Sequence, residues 1–211
     1  MTSISPIRIL LADDHPVLVD GLALILNNEP DMTVVGQASN GVEAVELFTQ
    51  HQPDVALLDL RMPGELSGAE AIAQICDRFP QACLIMFTIY DGDEDIYQGL
   101  RAGAKAYLLK SAPCDEIIAT IRQVCAGEEY ISPQVALKVA KRINQPTLTE
   151  REREVLCLMT EGKTNQEIST ELCITEATVK YHINKIFDKL AVRNRTQAVL
   201  VALKRGIAYY L

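Results

Sequence analysis

Five short, uninterrupted apolar runs, separated by amphipathic segments, dominate the first half of this 211-residue chain. Their continuous hydrophobicity is typical of parallel strands that are covered on both faces. The segments between the runs repeat apolar residues at helical spacing, so the pattern predicts a doubly wound α/β domain with a five-stranded parallel sheet. The predicted strands are Ile9–Ala12, Val34–Ala38, Val55–Leu60, Cys83–Thr88 and Ala106–Leu109, and the predicted helices are Pro16–Asn27, Gly41–Gln50, Gly68–Phe79, Glu94–Ala102 and Asp115–Ala126.

The rest of the chain has a different pattern. We expect residues 1–127 to form the α/β domain and residues 128–146 to be a linker, in which 132–144 could still be helical. Residues 147–211 show helical patterns without strand signals, which predicts a small all-α domain. It begins with a capping box, Thr149 to Glu152, and contains helices at Asn165–Leu172 and Glu176–Leu190 that are joined by a short turn. Thr196–Arg205 forms the last helix.

Charge divides the chain in the same way. Residues 1–130 hold 20 acidic and 7 basic side chains, whereas residues 131–211 hold 8 acidic and 13 basic ones. The overall net charge of −8 therefore conceals an acidic first part and a basic second part. Only the basic part is suited to binding a polyanion, which indicates two modules with different partners.

Neither a membrane span nor a cysteine-based metal site is visible in the sequence. No stretch approaches the roughly 18 uninterrupted apolar residues of a spanning helix. The six cysteines are scattered without a C-x-x-C pair, so we expect reduced structural thiols and no role in metal binding. These features predict a soluble, cytoplasmic protein without a membrane partner.

Five polar residues stand at the carboxyl ends of the predicted strands: Asp13, Asp14, Asp59, Thr88 and Lys110. In a flavodoxin-like sheet with strand order 2-1-3-4-5, the first and third strands are neighbours, and ligands bind in the crevice beside them. The three carboxylates would then converge in that crevice, where their repulsion is costly unless a cation lies among them. An oxygen-only site with few protein ligands favours Mg²⁺.

This set of side chains is suited to phosphoryl transfer. A carboxylate can attack phosphorus and form an acyl phosphate, and we expect Asp59 to be that nucleophile. Asp13 and Asp14 would be the metal-site acids, Lys110 would neutralise developing charge, and the Thr88 hydroxyl would hydrogen-bond a phosphoryl oxygen. Each residue alone has a plainer explanation, such as a helix cap or a solvated lysine, but the five together favour a site.

The motifs LLADDHP, LLDLRMPGELSG, MFT and AYLLKSAP resemble the receiver domain of two-component response regulators, over about residues 1–127. The resemblance implies that Asp59 is phosphorylated by a partner histidine kinase. It also implies that Arg61 contributes its backbone carbonyl to the Mg²⁺ site and that Tyr107 is the aromatic switch partner of Thr88. One departure is that the loop after Pro63 is one residue longer than is common in receivers, at 64–68.

The second of the two joined helices combines a buried face with a basic, polar face. Its apolar positions include Val179, Ile183 and Ile186, and its bases are Lys180, Lys185 and Lys189. Thr175 can cap this helix, and Lys180, Tyr181, Asn184 and Lys185 are residue types that suit phosphates and base edges. Charge alone would equally fit a solvated helix on a small bundle.

The segment from Leu148 to about residue 200, LTEREREVLCLMTEGKTNQEISTELCITEATVKYHINKIFDKLAVRNRTQAV, resembles the LuxR-type helix-turn-helix of NarL/FixJ-type regulators. The resemblance implies that the third helix of this domain enters the major groove of double-stranded DNA. It also implies an active homodimer, for which the last helix is a candidate interface. Packing of that helix within the domain is an equally good explanation of its apolar face. The residues it implies for DNA contact are Thr164, Asn165, Thr175, Thr178, Lys180, Tyr181, Asn184, Lys185 and Arg195.

The combined expectation is a DNA-binding transcription factor, not an enzyme, that is controlled by phosphorylation of Asp59. Two alternatives belong to other classes. An aspartyl-phosphate phosphatase usually carries D-x-D at one strand end, whereas the acids here are the adjacent Asp13 and Asp14. A constitutive DNA-binding protein with an inert first domain would have no need to gather repelling carboxylates.

Overall fold

The five apolar runs form the strands of one parallel sheet, in the order β2-β1-β3-β4-β5. This is the order that the sequence analysis predicted, seen in a computed structural model that describes residues 5–208. The expected domains 1–127 and 147–211 therefore each include a few terminal residues that lie outside the described part. The strands are β1 (Ile7–Ala12), β2 (Met32–Ala38), β3 (Val55–Leu58), β4 (Leu84–Thr88) and β5 (Ala106–Leu109).

Five helices alternate with these strands, and they are α1 (Pro16–Asn27), α2 (Gly41–His51), α3 (Gly68–Arg78), α4 (Asp93–Arg101) and α5 (Cys114–Cys125). Helix α1 begins at Pro16, whose missing N–H costs nothing in a first turn. It buries Val19, Leu22 and Leu26, which are spaced by three and four residues and so lie on one face. That face packs with α5 and the sheet in one apolar core.

The central strands are buried on both faces. All four residues of β3 are inaccessible to solvent, which explains why its sequence does not alternate. The prediction that the third strand extends to Leu60 is wrong, because β3 ends at Leu58. Asp59 therefore follows the strand and stands where the chain leaves the sheet.

The chain divides into two compact units. One contains the residues up to Tyr90 together with Ile96–Ala136, and the other contains Asp91–Asp95 together with the chain from Leu137. The segment expected to be a linker holds a helix, α6 (Pro133–Ile143), and it is followed by α7 (Glu150–Thr160), α8 (Asn165–Glu171), α9 (Glu176–Leu190) and α10 (Arg195–Arg205).

Capping residues define the last four helices. Thr149 and Thr164 each form a capping box, with Glu152 and Glu167 respectively, and the side chains of Thr175 and Asn194 cap α9 and α10. Each such cap is worth about 1 kcal/mol. The inner faces of α7 to α10 share one apolar core that includes Val155, Val179 and Ile186. No helix within residues 5–208 has both the length and the apolar character needed to cross a bilayer.

Candidate functional site

The carboxyl end of the sheet brings the predicted polar residues together. Asp13 follows β1 and Asp59 follows β3, and these two strands are paired in parallel. The Asp59 N–H donates to the carbonyl oxygen of Ala12 at 2.8 Å, and the Lys110 N–H donates to that of Thr88 at 2.9 Å. These backbone hydrogen bonds between neighbouring strands therefore fix the positions from which the side chains of Asp59 and Lys110 extend.

The ammonium of Lys110 lies between two buried carboxylates. Its Nζ is 2.7 Å from Asp59 Oδ2 and 2.6 Å from Asp13 Oδ2. The side chains of Asp59 and Asp13 are only 3% and 5% exposed. Burial alone would lower the pKa of Lys110, but its hydrogen bonds to Asp13 and Asp59 outweigh that effect and raise it. The two carboxylates therefore favour the charged form of Lys110 in this crevice.

Asp14 and His15, the two residues after Asp13, lie beside these buried acids. Asp14 is about one-third exposed, and its Oδ1 lies 2.9 Å from Nδ1 of His15. The same nitrogen lies 3.0 Å from Asp13 Oδ1. His15 had no predicted role, although its position directly after two strand-end acids is visible in the sequence.

The charges and oxygens of this crevice fit a divalent cation. Asp13, Asp14, His15 and Asp59 can each present one ligand atom, and these atoms all lie within 4.8 Å of one another. The cluster holds three carboxylates and the single ammonium of Lys110, so acidic groups outnumber basic ones in it. Hard carboxylate oxygens in this arrangement suit Mg²⁺, as the sequence predicted.

The loop after Asp59 is closely packed at its end. A Cβ atom on Gly68 would lie 1.8 Å from the Asp59 carbonyl oxygen, so only glycine fits where α3 begins. The longer loop turns at Gly64, whose φ of 104° is a conformation that favours glycine. Within this loop, the Arg61 guanidinium lies over the ring of Tyr90, 4.5 Å from its centroid.

The predicted switch pair occupies β4 and β5. Thr88 is the last residue of β4 and is fully buried, and Tyr107 is 1% exposed. The Tyr107 hydroxyl donates to the carbonyl oxygen of Tyr90 at 2.8 Å, and the Thr88 hydroxyl accepts from the Tyr90 N–H at 3.4 Å. Thr88 and Tyr107 are therefore connected through the backbone of Tyr90.

In the second unit, α9 presents the polar face that its sequence indicated. Val179, Ile183 and Ile186 are buried on one side. Lys180, Tyr181, Asn184 and Lys185 are exposed on the other. The Lys185 ammonium lies 5.8 Å from the centroid of the Tyr181 ring, close enough for a weak cation–π contact.

Lys189 does not belong to that exposed basic face. Its Nζ lies 2.7 Å from Glu152 Oε2 and donates to the carbonyl oxygen of Thr147 at 3.0 Å. It therefore connects the end of α9 to the start of α7. Lys189 was one of three basic residues noted on this helix and was not among those expected at DNA, and its partner Glu152 is distant in sequence.

The other residues expected at DNA lie at helix starts. The hydroxyl oxygens of Thr164 and Thr175 accept from the backbone N–H groups of Glu167 and Thr178. Asn165 opens α8, and the Thr178 hydroxyl lies 2.9 Å from that of Thr175. Arg195 is half-buried, and its Nη2 donates to the carbonyl oxygens of Met159 and Lys163. Its guanidinium thus joins the start of α10 to the end of α7.

Comparison with known proteins agrees with both halves of this description. Residues 9–122 match the family "Response regulator receiver domain", and residues 146–202 match "Bacterial regulatory proteins, luxR family". The chain is 44% identical over 204 residues to the transcriptional regulatory protein LiaR of Bacillus subtilis, covering 93% of this chain and 96% of LiaR. It is 38% identical to the oxygen regulatory protein NreC of Staphylococcus carnosus, covering 95% and 98% of the two chains.

A solved structure shows the same likeness. The response regulator ChrA of a heme-sensing two-component system is 34% identical, with a TM-score of 0.58, and the match covers 96% of this chain and 99% of ChrA. The expected family, fold class and regulatory character are thereby confirmed, and the phosphatase alternative is excluded. The chain belongs to the two-component response regulators that join a receiver domain to a LuxR-type DNA-binding domain, and it is a transcriptional regulator and not an enzyme.

Proposed function

We propose that Asp59 accepts a phosphoryl group from a histidine kinase and that this modification controls binding of the α9 face to double-stranded DNA. The observation that carries the proposal is the contact of Lys110 with both Asp59 and Asp13 in a crevice at the carboxyl ends of β1, β3 and β5. Such a crevice is where open α/β sheets bind ligands. Binding to its two proposed partners, a histidine kinase and double-stranded DNA, would place the protein in the cytoplasm.

Asp13, Asp14 and Asp59, together with the backbone carbonyl of Arg61, would hold Mg²⁺ in this crevice. When bound, the ion would neutralise charge on the transferring phosphoryl group. A carboxylate oxygen of Asp59 attacks the phosphorus of a phosphohistidine, the P–N bond breaks, and an acyl phosphate remains on Asp59. The Lys110 ammonium is already beside Asp59 and stabilises the equatorial phosphoryl oxygens without moving far.

Thr88 and Tyr107 would transmit the modification. The acyl phosphate adds acceptor oxygens that attract the Thr88 hydroxyl, which in the unmodified protein accepts from Tyr90. Any displacement of Tyr90 moves its carbonyl oxygen, which accepts the hydrogen bond of the Tyr107 hydroxyl. The two side chains would therefore move together between two states.

We assign contacts in the major groove of DNA to four side chains of α9: Lys180, Tyr181, Asn184 and Lys185. The helix starts at Thr164, Asn165, Thr175 and Thr178, together with Arg195, would meet phosphates. A homodimer would bind two half-sites about one helical turn apart. We assign residues 1–127 to the receiver, 128–146 to the linker and 147–211 to the DNA-binding domain.

The test compares the wild type with Asp59→Asn, which keeps the shape of the side chain but removes the nucleophile. Asp77→Asn changes an exposed acid on α3 and serves as the matched control. With acetyl phosphate and Mg²⁺, intact-mass spectrometry should show one added phosphoryl group on the wild type and on Asp77→Asn, and none on Asp59→Asn. DNA affinity, measured on genomic fragments selected by the phosphorylated wild type, should rise with the donor only in the two proteins that are labelled. Labelling of Asp59→Asn, or a donor-independent affinity in the wild type, would contradict the proposal.

A further inference from the structure

A side-chain contact between Arg61 and Tyr90 joins the loops that follow β3 and β4. These strands are paired in parallel, so their carboxyl ends lie side by side. Arg61 comes two residues after Asp59, and Tyr90 comes two residues after Thr88. The Arg61 guanidinium lies over the Tyr90 ring, 4.5 Å from its centroid, which is within the range of a cation–π contact. The loop of the proposed phosphoryl acceptor therefore contacts the loop of the proposed switch residue.

Tyr90 is also the residue whose backbone connects the switch pair. Its N–H donates to the Thr88 hydroxyl at 3.4 Å, and its carbonyl oxygen accepts from the Tyr107 hydroxyl at 2.8 Å. Arg61 and Tyr90 are both half-buried, and a partly desolvated cation–π contact is stronger than an exposed one. The contact that holds the Tyr90 ring therefore also restrains the backbone groups to which Thr88 and Tyr107 bind.

Arg61 begins close to the proposed phosphorylation site. Its backbone N–H points to Asp59 Oδ1, with a long donor–acceptor distance of 3.5 Å. A long, flexible side chain that starts here can turn towards a phosphoryl group on Asp59. The planar guanidinium stacks on aromatic rings, and it also offers paired N–H donors to phosphate oxygens. One side chain is therefore suited to both positions, over the ring and beside the phosphoryl group.

We propose that Arg61 is a positioning residue that restrains Tyr90 in the unphosphorylated protein and leaves the ring to bind the phosphoryl group on Asp59. This inference rests on the proposed phosphorylation of Asp59. The acyl phosphate adds negative charge and acceptor oxygens near Arg61, and a charge-assisted hydrogen bond is stronger than a contact with a ring. Once the guanidinium has left the ring, the chain after β4 is easier to displace. Arg61 thus connects the modification of Asp59 to Tyr90.

A purely structural contact would behave differently. If Arg61 and Tyr90 only packed together, the loss of either side chain would change the affinity of the crevice for a phosphoryl mimic in the same direction. In the proposed role, the ring competes with the phosphoryl group for the guanidinium. Removing the ring therefore strengthens the binding of the mimic, whereas replacing the guanidinium weakens it.

The experiment titrates the full-length protein with beryllofluoride in the presence of Mg²⁺, because beryllofluoride on a carboxylate mimics the acyl phosphate. Arg61→Lys keeps the positive charge but loses the planar guanidinium. Arg78→Lys makes the same exchange at an exposed position in the last turn of α3 and is the matched control. Fluorine NMR should give a Kd that rises about tenfold in Arg61→Lys and falls about threefold in Tyr90→Leu. Arg78→Lys should stay within about twofold of the wild type.

Proton NMR of the Arg61 side chain supplies a direct readout in the wild type itself. Protons that lie over an aromatic ring are shifted upfield by its ring current. This shift should be present in the free wild type, absent in Tyr90→Leu, and lost when the wild type binds beryllofluoride.

Two outcomes would overturn the inference while leaving the proposed function intact. One is an upfield shift that persists in wild type saturated with beryllofluoride. The other is a Kd that changes in the same direction, or not at all, in Arg61→Lys and Tyr90→Leu. If the wild type did not bind beryllofluoride, or if Asp59→Asn bound it equally well, the proposed phosphorylation of Asp59 would be wrong and the inference would fall with it.

Discussion

The ammonium of Lys110 lies 2.7 Å from the carboxylate of Asp59, in contact with the residue that we assign as phosphoryl acceptor. It is also 2.6 Å from Asp13, so one cation serves two buried acids. A divalent ion that uses the same oxygens must share them with Lys110. In the unphosphorylated protein, the divalent ion and the ammonium of Lys110 therefore compete for the carboxylates of Asp13 and Asp59.

Replacing Lys110 by Met should destabilise the protein in the absence of metal. Two buried carboxylates would lose their counter-ion, and breaking a buried pair costs about 3–5 kcal/mol. Mg²⁺ should recover part of that loss, because the ion no longer competes with the ammonium. Thermal unfolding in EDTA and in Mg²⁺ checks this: the rise in Tm caused by Mg²⁺ should be larger for Lys110→Met than for the wild type.

Lys105→Met is the matched control for this comparison. Lys105 is well exposed, and its Nζ lies 3.5 Å from Glu129. Exposed pairs contribute about 0–1 kcal/mol, so the variant should unfold close to the wild type and gain the same Tm from Mg²⁺. An equal gain in all three proteins would show that Lys110 and Mg²⁺ do not share ligands.

Tyr107→Phe should loosen the chain after β4. The hydroxyl is buried and donates to the Tyr90 carbonyl, and the net value of such a hydrogen bond is about 1 kcal/mol. Hydrogen exchange should become faster at residues 89–92, and urea unfolding should show a comparable loss of stability. Tyr130→Phe is the control, because its hydroxyl hydrogen-bonds Glu116 on α5, away from this segment. Unchanged exchange at 89–92 in Tyr107→Phe would argue against a connection between Tyr107 and this segment.

The strands and the polar residues at their ends could be predicted because both depend on local patterns, whereas the sheet order followed from the flavodoxin-like fold class. Continuous apolar runs followed by acids need no knowledge of distant contacts, and Asp13, Asp59 and Lys110 accordingly lie together. The end of β3 was predicted too late, because Leu60 is buried and apolar without being in the strand. Hydrophobicity reports burial, whereas the end of a strand depends on its hydrogen-bonded neighbours.

Long-range pairing accounts for what the sequence could not give. Lys189 and Lys185 look alike on a helical projection of α9, yet Lys189 contacts Glu152, 37 residues earlier in the chain. Cys173 has apolar neighbours in the sequence, Leu172 and Ile174, but it is exposed and adopts φ 52° in the turn between α8 and α9. Such details are decided by how the elements pack together.

Lys185→Ala should weaken DNA binding without unfolding the domain. Lys185 is exposed, so its loss removes one phosphate or base contact and little packing. One lost phosphate contact should reduce the slope of log affinity against log salt by about 1. Lys204→Ala, which removes a base from the last turn of α10, is the comparison variant. Fluorescence anisotropy over a range of salt concentrations distinguishes the two. If Lys185→Ala kept both the affinity and the slope of the wild type, this residue would not belong to the DNA face, whereas a lower affinity with an unchanged slope would indicate a contact to a base.

Glu152→Gln should destabilise the DNA-binding unit in a pH-dependent way. Burial alone would raise the pKa of Glu152, but the hydrogen bonds from Lys189 and the Thr149 backbone outweigh it, and the pKa is lower than its ordinary value of 4.5. A carboxyl with a lowered pKa in the folded state adds stability above pH 4.5, and this stability is lost as the pH falls through the lowered value. Glutamine still satisfies the capping box but lacks the charge that Lys189 needs, so we expect a loss of about 2 kcal/mol near neutral pH.

The control is Glu167→Gln, which makes the same change in the exposed capping box of α8. Backbone and side-chain hydrogen bonds from Thr164 also lower the pKa of Glu167, but among the described residues no lysine lies within ion-pair distance of its carboxylate, since the nearby Lys163 pairs with Glu161 and Glu171. Urea unfolding at neutral pH and at about pH 3 should therefore show a large difference between wild type and Glu152→Gln that shrinks in acid, and a small difference for Glu167→Gln at both. If the two substitutions cost the same at neutral pH, the contact between Lys189 and Glu152 would contribute nothing to stability beyond the cap.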